Sequence, residues 1–213
     1  MSEQTQDGQS GEVKAKTDQL LRGSLKHVRA AALAAVLVPL ASVAICPTVA
    51  QMQGSGGTAT VPSPCDFMTS GGFVIKDSGD KATFAAHGGC KNGDFWGHVN
   101  YVDHATGYHL DSIEITGYLT PFAGSKTRII CGAATSNGAE AQPVYFRVTM
   151  TDNGEPGIAD DFSIATSNGY GVTTRLLAGG QGGGGNVQLH DGNPSNTGPN
   201  PAPSEAAMCH GVF

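Results

Sequence analysis

The side chains with the most chemical capacity lie in one acidic turn. It runs D-N-G-E-P-G-I-A-D-D from Asp152 to Asp161. Asp152, Asn153, Asp160 and Asp161, with Glu155 nearby, could present oxygens to calcium, which takes six to eight hard oxygen ligands. The spacing does not match the EF-hand loop. The same residues also make ordinary turn chemistry, because Asn and Gly tolerate positive φ, Pro fixes φ and Asp forms Asx-turns. No other cofactor is indicated.

Histidines form a second set. His98, His104 and His109 fall in one expected hairpin, with His87 just before it. A turn at Ala105-Thr106 sets Asp103 opposite Tyr108 and Val102 opposite His109. His98 then shares a face with His109 but stands about four residues away, roughly 13 Å along the ladder. That hairpin alone cannot chelate a metal between two imidazoles.

Nucleophiles are the third set, and they are poorly supported. There is no G-x-S-x-G elbow. Gly124-Ser125-Lys126-Thr127 lacks the full phosphate-loop pattern and any βαβ context. Asp103 and Glu114 could be drawn as a glycosidase pair, but nothing selects them over other carboxylates. The run Gly179–Gly185 reads as a flexible connection into a last strand.

The elements that must position these groups are strands. Phe73 and Ile75 mark the first, and Ala82, Phe84 and Ala86 share one face of a second. Phe95, Val99 and Tyr101 follow, then Leu110, Ile113 and Ile115, whose phase shift implies a bulge. Arg128 to Ala134 is another, with Ile130 on one face and Ile129 and Cys131 on the other. Val144, Phe146, Val148 and Met150 alternate most cleanly. Phe162 and Ile164, Val172 near Tyr170, and Val187 with Leu189 complete the series. Such segments recur every 10–15 residues with turn signals between them. The expected fold is all-β, an antiparallel β-sandwich or flattened barrel of about eight to ten strands, with Phe73, Phe84, Phe146, Val148 and Phe162 in its core.

Residues 1–50 read as addressing: a signal peptide or N-terminal anchor with a long n-region. Arg22, Lys26 and Arg29 precede an apolar run from Ala30 to Ile45, and Thr48-Val49-Ala50 fits cleavage before Gln51. The run is shorter than the roughly 20 residues of a spanning helix. Cys46 follows Ile45, where lipid attachment wants a small residue. Residues 51–64 form a linker, 65–190 the β domain, and 191–213 a tail rich in Pro, Gly and Asn.

After Ala50, seven Lys and Arg face fourteen Asp and Glu, a net charge of −7. With no basic cluster, nucleic acid is repelled. The acidic surface also disfavours anionic lipid, so membrane contact is confined to the N-terminal segment. Trp96 is the only tryptophan, which lowers a sugar-binding role. Cys65, Cys90, Cys131 and Cys209 remain after the leader, and an even count in an exported chain favours two disulfides. Three connectivities are open. Because domain termini often lie close together, Cys65–Cys209 with Cys90–Cys131 is the expected one. Zinc needs paired short spacings that are absent.

Tyr101-Val102-Asp103-His104, the T-M-T-D-N-G-E-P-G of 149–157, Phe162-Ser163-Ile164 with Ser167-Asn168-Gly169-Tyr170, and the G-N-V-Q-L-H of 185–190 occur in one order. In combination they resemble the post-COAP domains of exported bacterial proteins, over roughly residues 65–190. The resemblance implies an exported β-rich module and brings no catalytic residues with it. The long glycine run and Cys-bearing tail depart from the family's usual ending. The expected function is therefore a non-catalytic structural or interaction module at or beyond the cell surface, with other surface or extracellular proteins as partners. The alternatives are a calcium- or ligand-binding module using the 152–161 turn and a secreted hydrolase.

Overall fold

A computed structural model describes residues 58–138, 142–178 and 182–213. The expectations for the N-terminal leader lie outside these residues.

Nine strands form one antiparallel sheet: β1 (Phe67–Ile75), β2 (Lys81–Lys91), β3 (Asp94–Asp103), β4 (His109–Leu119), β5 (Thr127–Ser136), β6 (Val144–Thr151), β7 (Asp161–Thr166), β8 (Gly171–Leu176) and β9 (Gly183–His190). β1 to β8 follow as a meander, and β9 returns to pair with β1, giving the order β8-β7-β6-β5-β4-β3-β2-β1-β9. The sheet curls into a nearly closed barrel. Phe84 of β2 stacks on Phe162 of β7 with ring centres 3.9 Å apart, although four strands separate them in the sheet. Ser70 of β1 likewise reaches the Met150 sulfur of β6 at 3.0 Å.

Period-two alternation builds the walls. β6 is the clearest case, with Val144, Phe146, Val148 and Met150 buried and the residues between them half-buried. Tyr101, Tyr118, Phe146, Phe162 and Met68 fill the interior. The phase shift in β4 is a true irregularity, with register breaks at Ser112/Glu114 and Ile115/Gly117.

Several expectations need correction. Phe73 is not a core residue. Val74 points inward and is fully buried, whereas Phe73 lies on the outer face, beneath Lys81 Nζ at 4.3 Å from its ring centre. Its ring packs over Gly184, so the glycine run supplies the room Phe73 occupies. Gly183–Gly185 accordingly belong to β9 rather than to a loop. Gly183 and Gly185 have φ of 147° and 133°, and a Cβ at either would overlap a carbonyl oxygen of β1. Only glycine allows β9 to approach β1 this closely.

The disulfides are Cys65–Cys90 and Cys131–Cys209, with Cα separations of 5.8 and 4.9 Å, not the pairing expected from termini proximity. The C-terminal tail instead docks on the outer face of the middle strands. It ends in one helical turn, α1 (Glu205–Met208), capped by the Ser204 side chain. Met208 and Cys209 bury against Ala59, Leu119, Ile129 and Cys131, a second small core outside the barrel. This explains why β5 is buried on both faces. Arg147 pairs with Glu205 at 3.2 Å, and Tyr145 stacks on His210 at 3.9 Å.

Candidate functional site

The acidic turn connects β6 to β7, and its carboxylates are aimed at backbone. Asp152 Oδ1 accepts the Gly154 N–H at 2.9 Å and Oδ2 the Leu189 N–H at 2.8 Å. Asp160 Oδ1 accepts the Asn153 N–H and Oδ2 the Val187 N–H, each at 2.8 Å. All four oxygens thus hold backbone donors, two of them from β9. The Asn153 amide donates to the Ala159 carbonyl, and Asn186 donates to Glu155. Asp161 faces away as the first residue of β7, where burial raises its carboxyl above the ordinary value. The four candidate ligands therefore do not share one point. The turn does seam work: it occupies backbone donors that β9, an edge strand, would otherwise leave open.

Two buried polar networks occupy the barrel ends. At one, Arg128 forms a bidentate pair with Asp66, whose Oδ1 also accepts the Tyr118 hydroxyl at 2.7 Å. Arg128 Nη1 donates to the Ser125 and Thr127 carbonyls, so all three guanidinium nitrogens have partners. A cleft of about 700 Å³ opens beside this pair, lined by Pro62, Pro64, His190 and Asp191 among others. At the other end, Asp103 is fully buried. Its Oδ2 receives Lys76 Nζ at 2.6 Å and the Tyr170 hydroxyl at 2.9 Å, and its Oδ1 receives the Ala105 N–H at 3.0 Å. Tyr101 in turn donates to Tyr170 across 2.7 Å. Burial pushes the Asp103 carboxyl up, but Lys76, Ala105, Tyr170 and Thr106 together hold it well below the usual carboxylate range. Burial raises the Tyr101 phenol to about 12. Glu114 stands exposed at the β4 bulge, so Asp103 and Glu114 do not form a carboxylate pair.

The remaining cluster lies on the outer face of β1 to β4. The expected hairpin register holds, with Val102 opposite His109 and the Asp103 N–H donating to the Tyr108 carbonyl at 2.8 Å. His98 pairs across β2–β3 with His87, directly opposite, their ring centres 6.2 Å apart. Trp96 lies 6.0 Å from His87, and Phe67 lies 5.9 Å from Trp96 and stacks on His190 at 4.3 Å. The sequence carried the signal for the His87–His98 contact. Asn92-Gly93 is a two-residue turn with φ of 56° and 84°, the hairpin dipeptide that fixes Lys91 opposite Asp94 and hence His87 opposite His98.

A Ser–His–Asp chain also emerges here. Ser112 Oγ lies 3.2 Å from His98 Nδ1, and His98 Nε2 lies 3.1 Å from Asp111 Oδ1. Asn100 donates to Asp111 at 3.1 Å and meets His109 Nε2 at 2.9 Å. Ser112 Oγ accepts the Val99 N–H at 2.8 Å, one residue beyond Asn100↔Asp111, where the β3–β4 register ends. The Ser112 proton then goes to His98 Nδ1, leaving Nε2–H to donate to Asp111. The Ser112 oxygen thus already accepts a backbone N–H, and the Ser112 and Asp111 contacts together orient the His98 ring.

No family model, curated protein or solved structure matches this chain. The geometry therefore carries the functional reading.

Proposed function

We propose that this chain is an exported, non-catalytic β-barrel module with a structural or interaction role at the cell surface or outside the cell. The observation that carries this reading is the filled interior: Phe84 meets Phe162 across the barrel, and the buried charges at both ends are paired within the fold. A barrel packed in this way offers no lumen for a small ligand. Contacts with a partner then fall to its outer surface. The two disulfides are compatible with an oxidising compartment. The charged and apolar order of the first fifty residues and the likeness to post-COAP domains support export.

The test is fractionation of a bacterial host expressing the full chain, with intact-mass analysis of the product. A species beginning at Gln51 with no free thiol supports the reading. A cytoplasmic, uncleaved product carrying four reduced cysteines overturns it.

A further inference from the structure

We infer that the outer face of β9, β1, β2 and β3 binds an uncharged β-1,4-linked polysaccharide, with Trp96 stacking on one sugar ring. Register sets the side chains of this face in rows across the strands. His190, Phe67, Gly89 and Trp96 stand in one line. Phe67 stacks on His190 at 4.3 Å and lies 5.9 Å from Trp96. Gly89 makes that line possible, because a Cβ there would come within 2.7 Å of the Phe67 Cβ. The His190 ring is fixed in turn by Thr69 Oγ1, 2.9 Å from its Nε2. The next row, about 7 Å along the strands, is polar: Gln188, Thr69, His87 and His98. In the row beyond it, Gly71 and Ala85 are small and exposed, and Asn100 and Asp111 follow them. An aromatic ridge thus runs beside a low polar shelf. The C-terminal helix packs elsewhere, against Leu119, Ile129 and Cys131 of β4 and β5.

The chemistry of ridge and shelf fits such a chain. A β-1,4-linked glycan is an extended ribbon with C–H groups on its flat sides and hydroxyls along its edges. The single tryptophan of the sequence is 38% exposed on this ridge, and its electron-rich face attracts polarised C–H groups. The His87 ring holds no hydrogen bond among the described residues, and burial and the neighbouring His98 keep it below the ordinary imidazole value. It is therefore neutral, with one nitrogen to donate to a hydroxyl and one to accept. Asp111 Oδ1 takes His98 Nε2 and the Asn100 amide, each at 3.1 Å, which leaves Oδ2 for a hydroxyl. Charge selects among glycans. The lysines of this face lie at its margins, Lys91 opposite Asp94 and Lys81 over Phe73, so its centre carries the Asp111 carboxylate without a Lys or Arg beside it. With a net charge of −7 after Ala50, the module repels sulfated and uronic-acid chains, whereas an uncharged chain meets no such barrier. The inference rests on the outer-surface role proposed above, and export and glycan binding can fail independently.

The test titrates cellohexaose and chitohexaose into the purified full chain. At least one of them should shift Trp96 emission saturably and bind in calorimetry. Trp96→Ala and His87→Ala should each weaken calorimetric binding at least about tenfold, the loss of one central contact. Phe122→Ala, which removes an exposed ring between β4 and β5, should leave it unchanged. His87→Ala breaks no hydrogen bond among the described residues, so its melting midpoint should match the parent and keep the test readable if Trp96→Ala unfolds. Failure to bind either hexasaccharide overturns the site. So does binding that survives both substitutions, tighter binding of dextran sulfate, or a dimer in sedimentation that Trp96→Ala dissolves.

Discussion

Asp160 Oδ2 accepts the Val187 N–H at 2.8 Å, joining the β6–β7 turn to the strand that would otherwise end the sheet. Asp160 is fully buried, and its second oxygen holds the Asn153 N–H. The two segments D-N-G-E-P-G and G-N-V-Q-L-H, which start 33 positions apart in sequence, therefore meet as one device for protecting a barrel seam. Asp160→Ala leaves the buried Val187 donor without a partner and should cost about 2–4 kcal/mol in denaturant unfolding. Asp152→Ala, in a more open setting, should cost about half as much. With its four oxygens already holding backbone donors, the turn should melt at the same temperature in calcium and in chelator. A midpoint that rises with calcium would restore the metal reading.

The Lys76–Asp103 pair makes a pH prediction. The folded Asp103 carboxyl titrates below the roughly 4 of an unfolded aspartate. Unfolding in acid therefore takes up a proton, and the stability this group supplies is complete above pH about 5 and drains away as pH falls. Lys76→Met strands a fully buried carboxylate and should cost about 3–5 kcal/mol at pH 7. The gap between parent and variant should narrow at pH 3. A gap independent of pH between 3 and 7 would show that the variant acts through packing alone.

The disulfides should differ in weight. Cys65–Cys90 closes 25 residues and Cys131–Cys209 closes 78. Chain entropy alone gives about 3.5 and about 4.5 kcal/mol respectively. Replacing both cysteines of the longer bridge also frees Met208 from its place against Ile129. That double variant should lose more stability, and its tail beyond Ser204 should become the first site of proteolysis. Equal losses for the two bridges would mean that the tail holds without its covalent tie.

What the sequence disclosed follows its physics. Strands were legible wherever one face is buried and the other wet, as in Val144–Met150, and the β4 bulge was legible because it reverses that phase. Phe73 broke the rule because its partner strand is made of glycines: an outward ring is half covered where Gly184 leaves space. The cysteine pairing was not legible, since it depends on where a tail without periodicity docks. The hairpin at His104 was read correctly, yet the His87–His98 ring contact runs across the preceding turn. Asn92-Gly93 encoded its register, and only the three-dimensional sheet shows that His87 and His98 are both turned outward.

Ser112 separates a structural chain of hydrogen bonds from a catalytic one. Its oxygen accepts the Val99 N–H at 2.8 Å and it also contacts His98 Nδ1. If that role is architectural, Ser112→Ala leaves the amide of the buried Val99 unpaired and lowers stability by about 1–2 kcal/mol. If the serine were an armed nucleophile, the parent would react with a fluorophosphonate probe and hydrolyse activated esters, and Ser112→Ala would abolish both. The lack of converging N–H donors on this open face argues for the first outcome. The expected result is thus a measurable drop in melting temperature with no labelling in either protein. Stoichiometric labelling at Ser112 would instead make this barrel an enzyme.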